Sequence, residues 1–193
     1  LAGPANKQGR IAAAHICGRR SAYTGALGTS VLKLFDLTAA STGLNEKQAR
    51  AAGVAYDKVV TYSASHASYY PGARNMTVKT LFDPASGRIL GAQIVGFDGV
   101  DKRMDVLAAA IRAGLTAEQL TELDLAYAPP YGSAKDPVNM AGYVIENVRA
   151  GLVEQHHWDA VAELPADGSV ILLDVRTPGE VRKQGLPRSD ALH

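Results

Sequence analysis

The chain has 193 residues, of which 47% are hydrophobic, and its 20 Lys and Arg residues nearly balance 19 Asp and Glu residues. The length and apolar content allow a buried core, whereas a formal charge of +1 provides no field that would attract nucleic acid or an anionic membrane. The single cysteine, Cys17, excludes an internal disulfide framework and a CxxC redox or zinc motif within these residues, so we expect a reducing, cytoplasmic setting.

The first third of the chain predicts two helices and two strands. An alanine-rich helix is predicted from Gln8 to Arg19, with Pro4 suited to a position near its start. The apolar run from Thr29 to Leu37 predicts a half-buried or buried strand. A short helix from Asn45 to Ala52, capped by the asparagine, and a strand from Tyr56 to Tyr62 follow.

The clearest hairpin of the sequence covers residues 76–95. One face of the first strand is expected to carry Met76, Val78, Thr80 and Phe82, which alternate with Thr77, Lys79 and Leu81. The turn residues 83–87 lead into a second apolar run. Asp101 is expected to cap a helix that ends at Gly114, and Thr116 with Gln119 predicts another helical start. Because helices follow strands without strict alternation, the pattern predicts an α+β fold with an antiparallel sheet and flanking helices.

A loop-to-helix junction near residue 136 is the most informative local pattern. Asp136-Pro137 is typical of an N-cap followed by proline at the first helical position, and the helix is expected to end near Gly151. Lys135 directly precedes this helix end, where a cation is unfavourable unless an anion lies between the two. The junction is therefore a candidate phosphate or carboxylate site.

Beyond Gly151 the sequence predicts the opening of another domain. A short helix is expected from Trp158 to Leu164, and the apolar run from Val170 to Val175 resembles a strand buried in a parallel sheet. Such a strand needs neighbours on both sides, and few residues follow it. Since the chain also starts without methionine, we expect a fragment that is cut at both ends.

Four groups of residues stand in an order that is typical of one family. They are Leu1-Ala-Gly-Pro-Ala-Asn6, Ser65-His-Ala-Ser-Tyr-Tyr-Pro-Gly72, Gly99-Val-Asp-Lys-Arg-Met-Asp-Val-Leu107, and Tyr127-Ala-Pro-Pro-Tyr131 with Lys135-Asp-Pro-Val-Asn-Met-Ala-Gly142. Together they resemble the C-terminal part of coenzyme A-disulfide reductases, which are flavoproteins of the pyridine nucleotide-disulfide oxidoreductase superfamily. The run from Val170 to Glu180 resembles the start of a rhodanese domain.

The resemblance implies three segments: the C-terminal tail of an FAD-binding domain (residues 1–22), a dimerisation domain (23–150), and a linker with a truncated rhodanese start (151–193). It also implies FAD as cofactor, NAD(P)H as co-substrate, coenzyme A disulfide or a related thiol as substrate, and a homodimer. The family's glycine-rich FAD loop, catalytic cysteine and NAD(P)H domain are not among these residues. No GxGxxG occurs, and Cys17 matches no catalytic cysteine.

The resemblance assigns catalytic positions to two tyrosines. Tyr69 and Tyr127 match residues that face the flavin and the active-site cysteine across the dimer interface. A protonated phenol there can donate a hydrogen bond to a thiolate, a flavin oxygen or a leaving thiol. The alternative is that each is an amphipathic interface residue with a buried ring.

Binding positions follow from the same match. Lys135 and Asn6 correspond to substrate-contacting positions, and Tyr127 is also a candidate flavin contact. Ala2, Gly3 and Ala5 are expected to precede the first helix, where backbone N–H groups could meet the flavin's pyrimidine edge. The alternatives are a solvated lysine and a plain lead-in to the helix.

Other functions stay open at this point. Branches of the same superfamily that reduce oxygen or peroxide, NADH oxidases and peroxidases, are the alternative chemistry. As it stands, the chain could instead be a dimerisation module without catalysis. No metal site is expected, since His156-His157 near Asp159 has no third ligand at zinc-like spacing, and His66 is expected to form hydrogen bonds within its own loop.

Overall fold

A computed structural model describes residues 2–185, which divide into two compact units after Glu154. Leu1, the first residue of the predicted FAD-domain tail, and residues 186–193, the end of the predicted rhodanese segment, lie outside the described residues. No helix within the described range is long and apolar enough to cross a membrane.

Within residues 2–154 the chain forms five α-helices and five strands. The helices are α1 (Ala2–Ile16), α2 (Glu46–Ala51), α3 (Val100–Ala113), α4 (Ala117–Thr121) and α5 (Pro137–Arg149). The strands are β1 (Ser30–Leu34), β2 (Leu37–Gly43), β3 (Asp57–Ala64), β4 (Asn75–Phe82) and β5 (Ile89–Gly96).

The strands form one antiparallel sheet in the order β1-β2-β5-β4-β3. The predicted hairpin of β4 and β5 is confirmed, with Thr80 opposite Ala92. Asp83 closes the turn, because its carboxylate accepts hydrogen bonds from the N–H groups of Ala85 and Ser86 at 2.8 and 2.9 Å. The predicted α+β fold, an antiparallel sheet with flanking helices, is therefore confirmed.

Helices α3 and α5 cover one face of the sheet. Alternate residues of β4, among them Met76, Val78 and Phe82, point to this face and are at most 1% exposed. They belong to the same buried cluster as Leu107 of α3 and Ile145 of α5. This packing brings the first turns of α3 and α5 together, and the candidate site lies there.

The strand predicted from Thr29 to Leu37 is wrong in extent and in burial. Two strands form instead, joined by Phe35 and Asp36. Phe35 has a φ of 51°, a conformation that glycine or asparagine usually adopts, so the sequence did not mark this residue as part of a turn. All residues of β1 are exposed, since it is an edge strand and α3 packs mainly on β5 and β2.

Helix boundaries are partly as predicted. The caps Asn45 and Asp136 are confirmed, as is the helix start after Thr116. Helix α1 covers residues 2–16 rather than 8–19, because proline is tolerated in the first turn and Pro4 therefore lies inside the helix. The residue before α3 is Gly99, with a φ of 66°, so the expected cap Asp101 lies in the first turn instead.

The second unit lacks the predicted strand. Within residues 155–185 a 3-10 helix (Trp158–Glu163) and helix α6 (Pro178–Gln184) form, and Thr177 caps α6. The apolar run of residues 170–175 forms no continuous strand, and Ile171 and Val175 are 72% and 85% exposed. A strand buried on both faces needs neighbouring strands, and the described residues of this unit supply none.

An ion-pair cluster around Glu46 makes the stability of this fold vary with pH in the acidic range. The carboxylate accepts hydrogen bonds from Lys79 and, at 3.0 Å, from Lys58. Burial raises the pKa of Glu46, but the hydrogen bonds from Lys79 and Lys58 and the attraction of both charges outweigh it and lower the pKa from 4.5 to about 2.

We expect Glu46→Gln to destabilise the fold at neutral pH and to have little effect near pH 2. A carboxylate with a lowered folded-state pKa stabilises the fold above its unfolded-state pKa, and this contribution disappears as the pH falls from about 4.5 to about 2. The neutral-pH loss should be about 1–2 kcal/mol, because the pair is partly exposed to solvent. Urea unfolding at several pH values measures it.

Glu122→Gln is the matched control for this measurement. Glu122 is exposed and its side chain forms no ion pair or hydrogen bond within residues 2–185, so its variant should follow the parent protein at every pH. An effect of Glu46→Gln that is independent of pH would contradict the assignment.

Candidate functional site

Two loops meet beside the first turns of α3 and α5. We name them the Tyr69 loop (residues 65–72), which follows β3, and the Tyr127 loop (residues 126–133), which leads to α5. The N–H of Ala67 donates a hydrogen bond to the carbonyl of Gly132 at 2.9 Å, which joins the two loops directly. The structure therefore brings together two segments that are almost sixty residues apart in sequence.

The two predicted catalytic tyrosines lie side by side on these loops. The hydroxyl oxygens of Tyr69 and Tyr127 are 3.3 Å apart, and the residues are 75% and 50% exposed. The hydrogen bond to Tyr127 raises the pKa of Tyr69 above its ordinary value of 10.0, so this phenol is protonated at neutral pH. Because one hydroxyl donates to the other, the accepting phenol keeps its own proton for a group outside the pair.

His66 stabilises the Tyr69 loop from inside, as predicted. It is 6% exposed, and its Nε2 lies 3.2 Å from the Pro71 carbonyl, which can only accept. Nε2 therefore donates, and Nδ1 accepts from the Ser65 hydroxyl at 3.2 Å. The ring also packs edge-on against Tyr70, with centroids 5.8 Å apart. Both ring nitrogens are thus engaged within the loop.

A buried ion pair below the loops was not predicted as part of the site. Arg103 and Asp136 are 1% and 3% exposed, and Arg103 Nη2 lies 2.9 Å from Asp136 Oδ2. A signal was available, because Arg103 shares the buried helical face of Val100, Met104 and Leu107. A charge on such a face is expected to find a buried partner.

The structure changes the electrostatic argument about Lys135. The carboxylate of Asp136 accepts a hydrogen bond from the N–H of Val138 at 3.0 Å, so the end of α5 already has its anion within the chain. Lys135 itself is exposed and makes no hydrogen bond or ion pair within residues 2–185. A bound anion would therefore be held by the lysine and not by the helix end.

The predicted flavin and substrate contacts near the N-terminus lie on α1 and not before it. Ala2, Gly3 and Ala5 belong to its first turn and are exposed. The Asn6 side chain donates to the carbonyl of Ala2 at 2.9 Å. Within residues 2–185 no hydrogen bond joins this segment to either site tyrosine or to Lys135, so the structure does not unite the two groups of predicted residues.

The N-terminal end of α1 borders an open cleft of about 610 Å³. Gly3, Pro4 and Lys7 of α1 line it, together with Tyr23, residues 25–29, and Ala108, Ala109 and Arg112 of α3. The N–H groups of Ala2 and Gly3 have no carbonyl partner within the helix, because they belong to its first turn. They are thus available to an acceptor beside this cleft.

Comparison with known proteins identifies the family. The family model for the pyridine nucleotide-disulphide oxidoreductase dimerisation domain matches residues 29–137 of the sequence. This range contains the Tyr69 and Tyr127 loops. This chain belongs to that family. The matched residues contain all five strands and helices α2, α3 and α4, while α1, all of α5 after Pro137, and the second unit lie outside them.

Relatives of this dimerisation domain include disulfide and persulfide reductases. The coenzyme A disulfide reductase of Staphylococcus haemolyticus is 42% identical over 144 residues, which are 74% of this chain and 32% of that protein. The reduced CoADR-RHD of Bacillus anthracis is 49% identical and superposes with a TM-score of 0.89 over 95% of this chain and 33% of that chain.

A NAD-dependent persulfide reductase from A. fulgidus is 41% identical, with a TM-score of 0.86 over 98% of this chain and 33% of that chain. The water-forming NADH oxidase of Lactobacillus brevis, at 24% identity and a TM-score of 0.75, shares the fold. It is matched over 80% of this chain and 34% of its own. The chain thus spans about one third of the length of these relatives.

Proposed function

We propose that this chain is part of a flavoprotein disulfide reductase that uses NAD(P)H to reduce coenzyme A disulfide or a related persulfide. Its dimerisation domain would form the homodimer and complete the active site of the partner subunit. Bound FAD would supply the two-electron transfer between NAD(P)H and the disulfide. The relatives named as coenzyme A disulfide reductase and persulfide reductase support this substrate class.

The pair of tyrosine hydroxyls carries the proposal. The hydroxyl oxygens of the two phenols are 3.3 Å apart, and both residues are exposed to solvent. One O–H of the pair is used between them, so the other can donate a hydrogen bond to a bound ligand. A disulfide reductase needs a donor of this kind, because cleavage of a disulfide releases a thiolate that is stabilised by a hydrogen bond and then protonated. Tyr127 is the proposed donor, and Tyr69 positions and polarises it.

The described residues fit parts of the two ligands. The N–H groups of Ala2 and Gly3, which have no carbonyl partner within α1, suit an acceptor such as the edge of a flavin ring, and Ala5 lies in the same turn. Lys135 is exposed and suits a phosphate of coenzyme A. Asn6 is a weaker candidate, because its amide nitrogen donates to Ala2 within the helix. Residues 1–22 and 151–193 remain the proposed FAD-domain tail and rhodanese start.

In the complete protein that contains this chain, we expect Lys135→Ala to raise the KM for coenzyme A disulfide about tenfold. Loss of one exposed charge–phosphate contact has this size. The KM for the nicotinamide and kcat should stay unchanged, since the lysine would bind only the substrate. Steady-state kinetics with each substrate varied in turn measures the effect.

Lys47→Ala is the control, because Lys47 is also an exposed lysine and lies on α2, away from both loops. An unchanged KM in the Lys135 variant would remove this residue from the substrate site. Failure of the unmodified protein to reduce coenzyme A disulfide and persulfides would contradict the proposed function itself.

Two alternatives predict different measurements. A water-forming NADH oxidase or peroxidase of the same superfamily would consume NADH with oxygen or peroxide and leave coenzyme A disulfide untouched. A dimerisation module without catalysis would be isolated without flavin absorbance. Retention of FAD and turnover of NADH by the purified 193-residue chain would rule out the module.

A further inference from the structure

The buried side chain of Arg103 donates hydrogen bonds to three other residues. It lies in the first turns of α3 and is 1% exposed. Its guanidinium donates to Asp136 through Nε at 3.1 Å and Nη2 at 2.9 Å, to the carbonyl of Ser65 at 2.9 Å and to the carbonyl of Gly99 at 3.2 Å. All three of its nitrogens are therefore engaged.

These acceptors belong to three separate segments. Ser65 is the first residue of the Tyr69 loop, and Asp136 lies three residues beyond the end of the Tyr127 loop. Gly99 precedes α3 itself. A planar guanidinium presents its donors in a fixed fork, so one side chain sets the distance between both loops and the start of α3.

Ser65 and Asp136, which Arg103 contacts, are buried, whereas the tyrosines on the two loops are exposed. Ser65 is 2% exposed and Tyr69 is 75% exposed, although they are four residues apart. Between them the N–H of Ala67 donates to Gly132 of the other loop at 2.9 Å. The exposed tyrosines are thus joined through their loops to buried residues, namely Ser65, Ala67 and Gly132.

We propose that Arg103 is a positioning residue that holds the Tyr69 and Tyr127 loops together and thereby sets the separation of the two tyrosine hydroxyls. The consequence for turnover rests on the proposed function, whereas the consequence for the loops does not. Lysine cannot replace the arginine, because one ammonium group cannot donate to the carbonyls of Ser65 and Gly99 and to the carboxylate of Asp136 at the same time.

The test is Arg103→Lys in the complete protein, with hydrogen exchange followed by mass spectrometry and with steady-state kinetics. We expect exchange in residues 65–72 and 126–133 to become faster on the order of tenfold, because local opening of these loops is easier without the fork. We expect kcat to fall on the order of tenfold with little change in the KM for NAD(P)H, because the hydroxyl pair loses its alignment.

Arg149→Lys is the matched control. Arg149 lies at the other end of α5, where it also forms an ion pair, with Glu118, and donates to the carbonyls of Pro84 and Ala85 at 3.4 and 3.1 Å. Its variant should speed exchange around residues 83–88 and leave both tyrosine loops and kcat unchanged. Equal loosening of the loops in both variants would overturn the proposal.

Two further outcomes are decisive. Unchanged exchange in the two loops of Arg103→Lys would overturn the proposal, as would loosened loops with an unchanged kcat in a protein that reduces coenzyme A disulfide. If the unmodified protein lacks that activity, the proposed function fails, while the exchange result still decides whether Arg103 holds the loops. Should Arg103→Lys not fold, Asp136→Asn removes the same ion pair, keeps an acceptor for Val138, and is expected to loosen the same loops.

Discussion

Asp136→Ala is expected to lower the free energy of unfolding of the first unit by about 3–5 kcal/mol. The substitution leaves the guanidinium of Arg103 buried without its carboxylate, and an uncompensated buried charge is among the most destabilising changes in a protein. It also removes the N-cap of α5, whose loss alone costs about 1 kcal/mol. The effect should exceed that of any exposed ion pair in the chain.

Urea unfolding followed by far-UV circular dichroism measures this loss. Circular dichroism is chosen because the only tryptophan, Trp158, lies in the second unit, whereas the helices and strands of the first unit contribute to the far-UV signal. The double variant Arg103→Met with Asp136→Ala should be more stable than Asp136→Ala alone, because both charges are then absent. A loss below about 1 kcal/mol in Asp136→Ala would show that the ion pair does not stabilise the loops.

Tyr127→Phe in the complete protein is expected to lower kcat for disulfide reduction about tenfold to a hundredfold, with little change in KM. The substitution keeps the ring and removes only the hydroxyl that would donate to the leaving thiol. It also removes the hydrogen-bond partner of Tyr69, so the raised pKa of Tyr69 should return toward its ordinary value. Steady-state kinetics and a spectrophotometric titration of phenolate absorbance measure the two effects.

Tyr131→Phe is the matched control for this substitution. Tyr131 lies in the same loop and is 72% exposed, and its hydroxyl makes no hydrogen bond within residues 2–185. Tyr131→Phe should leave both kcat and the raised pKa of Tyr69 unchanged. If Tyr127→Phe lowers the pKa of Tyr69 but leaves kcat unchanged, the tyrosine pair is structural and not catalytic.

Local patterns predicted the parts of the fold that depend on neighbours in sequence. The alternation of residues 76–82 and the turn residues 83–87 specified the central hairpin, and Asn45 and Asp136 marked two helix starts. Such signals suffice because a strand's face and a helix cap are determined within a few residues. The same reasoning failed at Phe35, where a residue other than glycine or asparagine adopts the positive φ of a turn.

The sequence by itself therefore determined the fold class, the family motifs and the candidate tyrosines. Only the tertiary structure decided that Tyr69 and Tyr127 share a hydrogen bond, that Asp136 forms a buried ion pair with Arg103, and that Arg103 also contacts the Tyr69 loop through Ser65. The physical reason is that these contacts join distant segments. Their geometry arises when α3 and α5 pack on the sheet, and no local pattern specifies it.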